Sequence, residues 1–327
     1  MRHTRALWIG LGTALASLVL SVAAPTGAQA TSPGANGRIA FTSNLHGSWQ
    51  IYTMLPNGSR IRQVTHIPGS PVDNLFQAWA PSGRKLAFNG GMTGNADIYT
   101  INADGTGQRN ITSDPADELA PAWSPDGKRI AFARFTPDGK GALWSMAADG
   151  SHQRRLTRPA FNSGFAPVYA PDGRHIVYGS SKGGVVAAVW IMNVDGTNQR
   201  RLTPARFEGT PWDVSPDGQH ILLGNHQNTA LPTALFVMSI DGTGLRRLTS
   251  AGCCFHDASA RYSPDGTTIA FTTDRSFASR GIREDEIWEM NADGTHMHPV
   301  TSSLTLGGCP DDLVVNCVGP LDWGTRP

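Results

Sequence analysis

Asp73, Asp117, Ser163, Glu208, His256 and Cys317 stand at one register in six repeated stretches, each six places ahead of the position held by Trp123 in its own copy. Five of them are polar or ionisable, and Asn74, Glu118 and Asp257 lie beside them. A fold that brought these positions together would make an acidic, hydrogen-bonding ring suited to a cationic or hydroxyl-rich ligand. Arg280, Arg283 and Asp285, in a long segment further on, would add a clamp for an anionic group. The same residue types also hold loops, because Asp, Asn and Ser side chains accept backbone N–H groups.

Other chemistry is weakly supported. Cys253, Cys254, Cys309 and Cys317 are an even set, which favours disulfides in an exported chain with three connectivities open. A four-thiolate zinc site is the weaker alternative, since an adjacent Cys pair is poor ligand spacing. His46, His66, His226 and His256 fall in loops and would make a metal site only if folding gathered them. There is no Walker loop and no GxGxxG to support nucleotide or dinucleotide chemistry. No cofactor is expected.

The elements that must position these residues are written as three recurring phrases. PAWSPDGKRIAF from Pro121 recurs at Gln77, Pro167, Trp212 and Ala260. A second phrase, such as DIYTINADG from Asp97, occurs six times. A third, of the RLT type, ends at Thr65, Thr112, Thr157, Thr203, Thr249 and Thr301, giving a period near 46 residues. Short apolar β-compatible runs punctuated by Asp-Gly turns predict four antiparallel strands per unit, with Asp-Gly supplying the positive φ of tight hairpins. The N-terminal unit starts at GRIAF and lacks its first strand, while LDWGTRP at the C-terminus is a lone copy of that strand. The reading is therefore an all-β, six-bladed β-propeller over residues 37–327, one blade closed by N- and C-terminal strands.

P-x-W-S-P-D-G, IAF, D-I-Y-x-M-N-A-D-G and R-L-T together resemble the WD-like repeats of the TolB-type β-propeller. The resemblance implies this fold and speaks weakly to function, because the repeated residues are turns and packing positions. The hydrolase domain of propeller peptidases and the extra N-terminal domain of TolB have no counterpart in these repeats.

Residues 1–30 carry Arg2 and Arg5, an apolar stretch and Ala28-Gln29-Ala30, the pattern of a secretory signal peptide, with an uncleaved anchor as the alternative. Residues 31–36 read as a short linker. Without Arg2 and Arg5, 25 basic and 26 acidic residues remain, a balance that argues against nucleic acid, and no basic run points to a membrane surface or polyanion.

Loops joining the second to third strands, and one unit to the next, share one face and collect the length variation: 133–142, 224–234, 272–286 and the segment from Thr301 to Trp323. Binding surfaces are usually built on such loops. The expectation is a secreted, monomeric, non-catalytic propeller, extracellular or periplasmic, binding a protein, peptide or cell-envelope component. The alternative is a metal-assisted polysaccharide lyase or hydrolase at the channel mouth.

Overall fold

The computed structural model describes residues 32–44, 48–67, 76–92, 94–161, 163–181, 187–225, 233–250, 256–276, 285–301 and 318–327. In chain order, β1 (Asn36–Ser43), β2 (Gln50–Met54) and β3 (Arg62–Gln63) come first. Blade 1 follows as β4 (Gln77–Trp79), β5 (Lys85–Gly90), β6 (Asp97–Asn102) and β7 (Arg109–Asn110). Blade 2 is β8 (Asp117–Trp123), β9 (Arg129–Phe135), β10 (Lys140–Ala147) and β11 (Arg154–Arg155), with a further short strand β12 (Ala160–Phe161) paired to β10. Blade 3 is β13 (Ser163–Tyr169), β14 (His175–Ser180), β15 (Ala188–Asn193) and β16 (Arg200–Arg201). Blade 4 is β17 (Gly209–Val214), β18 (His220–Asn225), β19 (Leu235–Ser239) and β20 (Arg246–Arg247). Blade 5 is β21 (Ala258–Tyr262), β22 (Thr268–Thr273), β23 (Glu286–Asn291) and β24 (His298–Pro299). Last comes β25 (Val318–Thr325), which pairs antiparallel with β1 and completes blade 6 in the order β25-β1-β2-β3.

The first strands β4, β8, β13, β17, β21 and β25 touch one another in a closed circle, so they line the axis and the two-residue strands form the rim. Six buried apolar clusters fill the six gaps between blades; one gathers Ala78, Ala87, Ile98 and Ile111 of blade 1 with Trp123, Ile130, Phe132 and Met146 of blade 2. The aromatic residues of the repeat pack in these clusters. The core is thus six slabs, each incomplete without two blades, which is why a repeat that is one sheet thick needs its neighbours.

Each phrase has a physical reason. In the SPDG turn, Gly127 N donates to Ser124 O at 2.8 Å, and Asp126 Oδ1 accepts from Ser124 Oγ and Lys128 N. Only the glycine takes positive φ, +68° at Gly127; Asp instead ties the turn with its carboxylate, a correction to the expectation that Asp and Gly share that role. The RLT threonine is a lock. The hydroxyls of Thr65, Thr112, Thr157, Thr203, Thr249 and Thr301 accept the N–H of Ile51, Ile98, Leu143, Val189, Leu235 and Ile287 at 2.8–3.1 Å, fixing the end of each rim strand to the third strand.

The glycine of the second phrase does two jobs. At Gly105, Gly150, Gly196, Gly242, Gly294 and Gly58, φ lies between +75° and +97°. A Cβ at any of them would meet the carbonyl oxygen of the residue before the RLT threonine in the preceding blade, at 2.1 Å from Ile111 for Gly150 and 2.4 Å from Val300 for Gly58. These contacts run unbroken round the ring on the turn face.

Residues 133–142, expected as a variable loop, instead lengthen β9 and β10 and join them by a second tight turn, Gly139 N donating to Thr136 O at 2.8 Å. The stretch expected as a linker is tied down where it is described: Gly34 N donates to Pro264 O, and Asn36 exchanges side-chain hydrogen bonds with Asp265.

Candidate functional site

The described ring residues, Asp117, Glu118, Glu208, His256 and Asp257, sit where units enter their axial strands, and Asp117, Glu118 and Asp257 stitch blades together. Asp117, exposed at the start of β8, accepts Ala96 N at 3.0 Å, so its carboxylate holds the β5–β6 connection of blade 1 rather than its own loop. Glu118 N donates to Ala96 O, Gly209 N to Ala187 O and Asp257 N to Thr233 O. Each entering loop is thereby bonded to the second-to-third-strand loop of the preceding blade.

Beneath these backbone latches the carboxylates are matched with arginines. Glu118 is fully buried and receives Arg134 Nε at 2.8 Å; Arg134 also reaches Asp114 at 3.2 Å and lies over the Trp144 ring at 4.2 Å. Burial pushes the Glu118 carboxyl up to about 7, against the pull of the Thr112 hydroxyl and the Arg134 charge. In blade 5, Asp257 is buried and takes a two-pronged contact from Arg275, Nε to Oδ1 at 3.0 Å and Nη2 to Oδ2 at 2.6 Å, with Thr273 Oγ1 at 2.8 Å. Fork-shaped pairs of this kind fix orientation as well as charge.

His256 is held by a single carboxylate. Its backbone N–H donates to Asp274 Oδ1 at 2.7 Å and its Nδ1 lies 3.0 Å from Asp274 Oδ2. The nearly buried Asp274 thus orients the ring, and Nε2 has no hydrogen-bond partner among the described residues. Glu208 is half-buried and joins no ion pair among the described residues. Asp285 is half-buried just before β23. Asp73, Asn74, Arg280, Arg283 and the four cysteines lie outside the described residues. Among the described residues no group of three or more His, Cys, Asp or Glu is arranged to hold a metal ion.

Sequence reasoning passed over the partners, Arg134, Asp274 and Arg275, and one arrangement deeper in the channel. At the position just before the repeat aromatic, blades 1 to 3 carry Ala78, Ala122 and Val168, but blades 4 to 6 carry Asp213, Arg261 and Asp322. Arg261 is wholly buried; its Nε reaches Asp322 Oδ1 at 3.3 Å. Asp322 Oδ2 accepts Trp79 N at 2.6 Å and Asp213 Oδ2 accepts Tyr262 N at 2.8 Å, each across a blade boundary. Burial raises the Asp322 carboxyl to about 6 despite Arg261. Three charges in a register otherwise held by Ala and Val were the signal that could have found them.

The comparisons fit this architecture. The family description "TolB beta propeller domain" matches residues 71–232. The Tol-Pal system protein TolB of Syntrophus aciditrophicus is 36% identical over 78 residues, 23% of this chain and 17% of that protein, so the match spans about a sixth of the relative's length. Among solved structures, TolB from Acinetobacter baumannii superposes with a TM-score of 0.68 at 20% identity, over 89% of this chain and 67% of that one. An oligogalacturonate lyase from Vibrio parahaemolyticus gives 0.56 at 11% identity, over 84% and 77%; at such identities the likeness concerns the fold alone.

Proposed function

Because the chain is a TolB-type β-propeller, we propose that it acts as an exported, non-catalytic binding module whose variable loop face docks a protein or peptide of the cell envelope. The observation that carries this reading is the pre-organisation of the described part of that face. The entries to blades 2, 4 and 5 are bonded to the preceding blades, and below two of them the buried Glu118 and Asp257 carboxylates are paired with Arg134 and Arg275. A surface already fixed loses little conformational entropy when a partner docks, which favours affinity without a large apolar patch. Asp117, Glu208 and His256 are the groups it offers at the mouth, and a partner with basic or hydroxyl-rich side chains complements them.

The test is capture of partners from the producing cell's envelope fraction by wild-type protein and by Asp117→Asn/Glu208→Gln. Loss of one captured partner, with the melting temperature little changed, is the expected result. Normal capture by the double variant, together with loss on substituting exposed SPDG-turn residues, would place binding on the opposite face.

The second reading, metal-assisted polysaccharide chemistry, draws on the Asp274-oriented imidazole of His256, an arrangement that suits a metal ligand or a general base. Elemental analysis of purified protein, repeated on His256→Ala, separates the two: a stoichiometric transition metal lost in the variant would favour the enzyme.

A further inference from the structure

The rim holds a feature independent of the loop face. β11, β16 and β20 are each a pair of arginines, repeated at intervals of 46 residues and therefore invisible to a search for basic runs. Between blades 2 and 3, beside the first two of these pairs, lies a cleft of about 440 Å³ lined by Thr157, Arg158, Tyr178, Ser180, Asn198 and Gln199. That volume falls in the ~300–1,000 Å³ range of small-ligand sites.

Arg158 is the arginine that lines it, and Arg154 and Arg201 lie nearby. Arg201 stands opposite Trp190, which packs against blade 2, and its guanidinium donates to the carbonyls of Thr203, Pro204 and Ala205, so it contributes charge rather than a free fork. Arg154 reaches over from blade 2, its Nη2 donating to Val194 O of blade 3 at 2.9 Å. Arg158 is exposed at the lip. None of the three forms an ion pair with a carboxylate among the described residues, although Asp195 nearby, held by the Thr197 hydroxyl and amide, also feels the Arg154 charge. Gln199 donates its Nε2 to Gly196 O at 2.9 Å, which leaves its carbonyl oxygen to accept. In the next gap, by contrast, Phe207 and Phe236 meet edge-on at 5.1 Å within an apolar cluster.

We propose that the cleft binds an acidic saccharide, a sugar unit bearing a carboxylate. The Arg158 fork would take the carboxylate within the field of Arg154 and Arg201, while the side chains of Asn198 and Gln199 meet the hydroxyls. A flat anionic membrane fits the rim poorly: six blades turn about 60° each, so the arginine pairs on blades 2 to 4 fan round a convex edge, which a flexible chain follows and a plane does not.

The test is calorimetric titration of the whole protein with alginate tetramer, a pure oligouronate, against an uncharged glucose tetramer, polyphosphate and phosphatidylglycerol vesicles. The variants are Arg158→Ala and Asn198→Gly, the latter keeping the left-handed backbone (φ +55°) while removing the amide. Expected are oligouronate binding weakened about tenfold by Arg158→Ala and several-fold by Asn198→Gly, no binding of the neutral tetramer, and wild-type melting of both variants. Absence of oligouronate binding would overturn the proposal, as would an Arg158→Ala variant that binds normally. Polyphosphate or vesicles binding more tightly than the oligouronate, indifferent to Asn198→Gly, would reduce the cleft to a non-selective basic rim.

Discussion

Alanine placed at two turn glycines on the same face separates backbone conformation from blade-to-blade contact. Gly173 has φ +65° and an added Cβ would meet nothing within 4 Å; Gly150 has φ +92° and its Cβ would sit 2.1 Å from the Ile111 carbonyl oxygen. Left-handed backbone costs alanine ~1–2 kcal/mol, and the loss of unfolded-chain freedom returns ~0.4–1 kcal/mol. Gly173→Ala should therefore destabilise by ~0–1.6 kcal/mol. Gly150→Ala carries the same charge plus the displacement of packed backbone, for which overpacking values of ~1–3 kcal/mol apply. With ~2–4 °C per kcal/mol, Gly150→Ala should melt ~2–12 °C below Gly173→Ala in parallel thermal scans followed by circular dichroism. Equal melting temperatures for the two variants would refute the idea that the second-phrase glycine is there for the neighbouring blade.

Two further outcomes follow from buried charge and from ring closure. Glu289 is partly buried on β23, and burial raises its carboxyl to about 7, with only His298 pulling it down. A raised acid holds its proton in the folded state at pH values where the unfolded chain has lost it, so its contribution is whole below pH ~4 and is lost as pH climbs through about 7. Glu289→Gln should then match wild type at pH 4 and exceed it by ~1–2 kcal/mol at pH 8 after allowing for solvent screening; a constant offset at both pH values would count against this. Removing residues 319–327 takes Leu321, Asp322 and Trp323 from a buried cluster and from the Trp79 and Arg261 bonds, so the whole domain should lose stability cooperatively. Melting at the wild-type temperature would contradict closure by β25.

The repeat made the blades legible because each phrase states a local rule: apolar strand, Pro-Asp-Gly turn, threonine lock. The closing strand was legible too, since LDWG had no partner nearby in sequence and GRIAF lacked one. What escaped were pairings that depend on the three-dimensional ring. Arg134 finds Glu118 only through the β8–β9 register, and Arg261 finds Asp322 from 61 residues away across a blade boundary. The alternative for Asp117 was that it holds its own loop, yet its carboxylate bonds the neighbouring blade, because sequence register fixes which residues are equivalent and not which loop each one touches. The 133–142 misreading has a plainer cause. Its length set it apart from other copies, although Pro137-Asp138-Gly139 carried the same turn chemistry as every SPDG.

Pairing of Asn36 with Thr325 brings the first and last strands of blade 6 side by side at the turn face. Any polypeptide continuing from either strand therefore departs from a single spot, on the side away from the length-varying loops. A tether at either end would hold the molecule like a flower on its stalk, with those loops turned outward. A short bridge between the two strand ends would likewise let the chain be opened elsewhere, at a loop of choice, without breaking the ring.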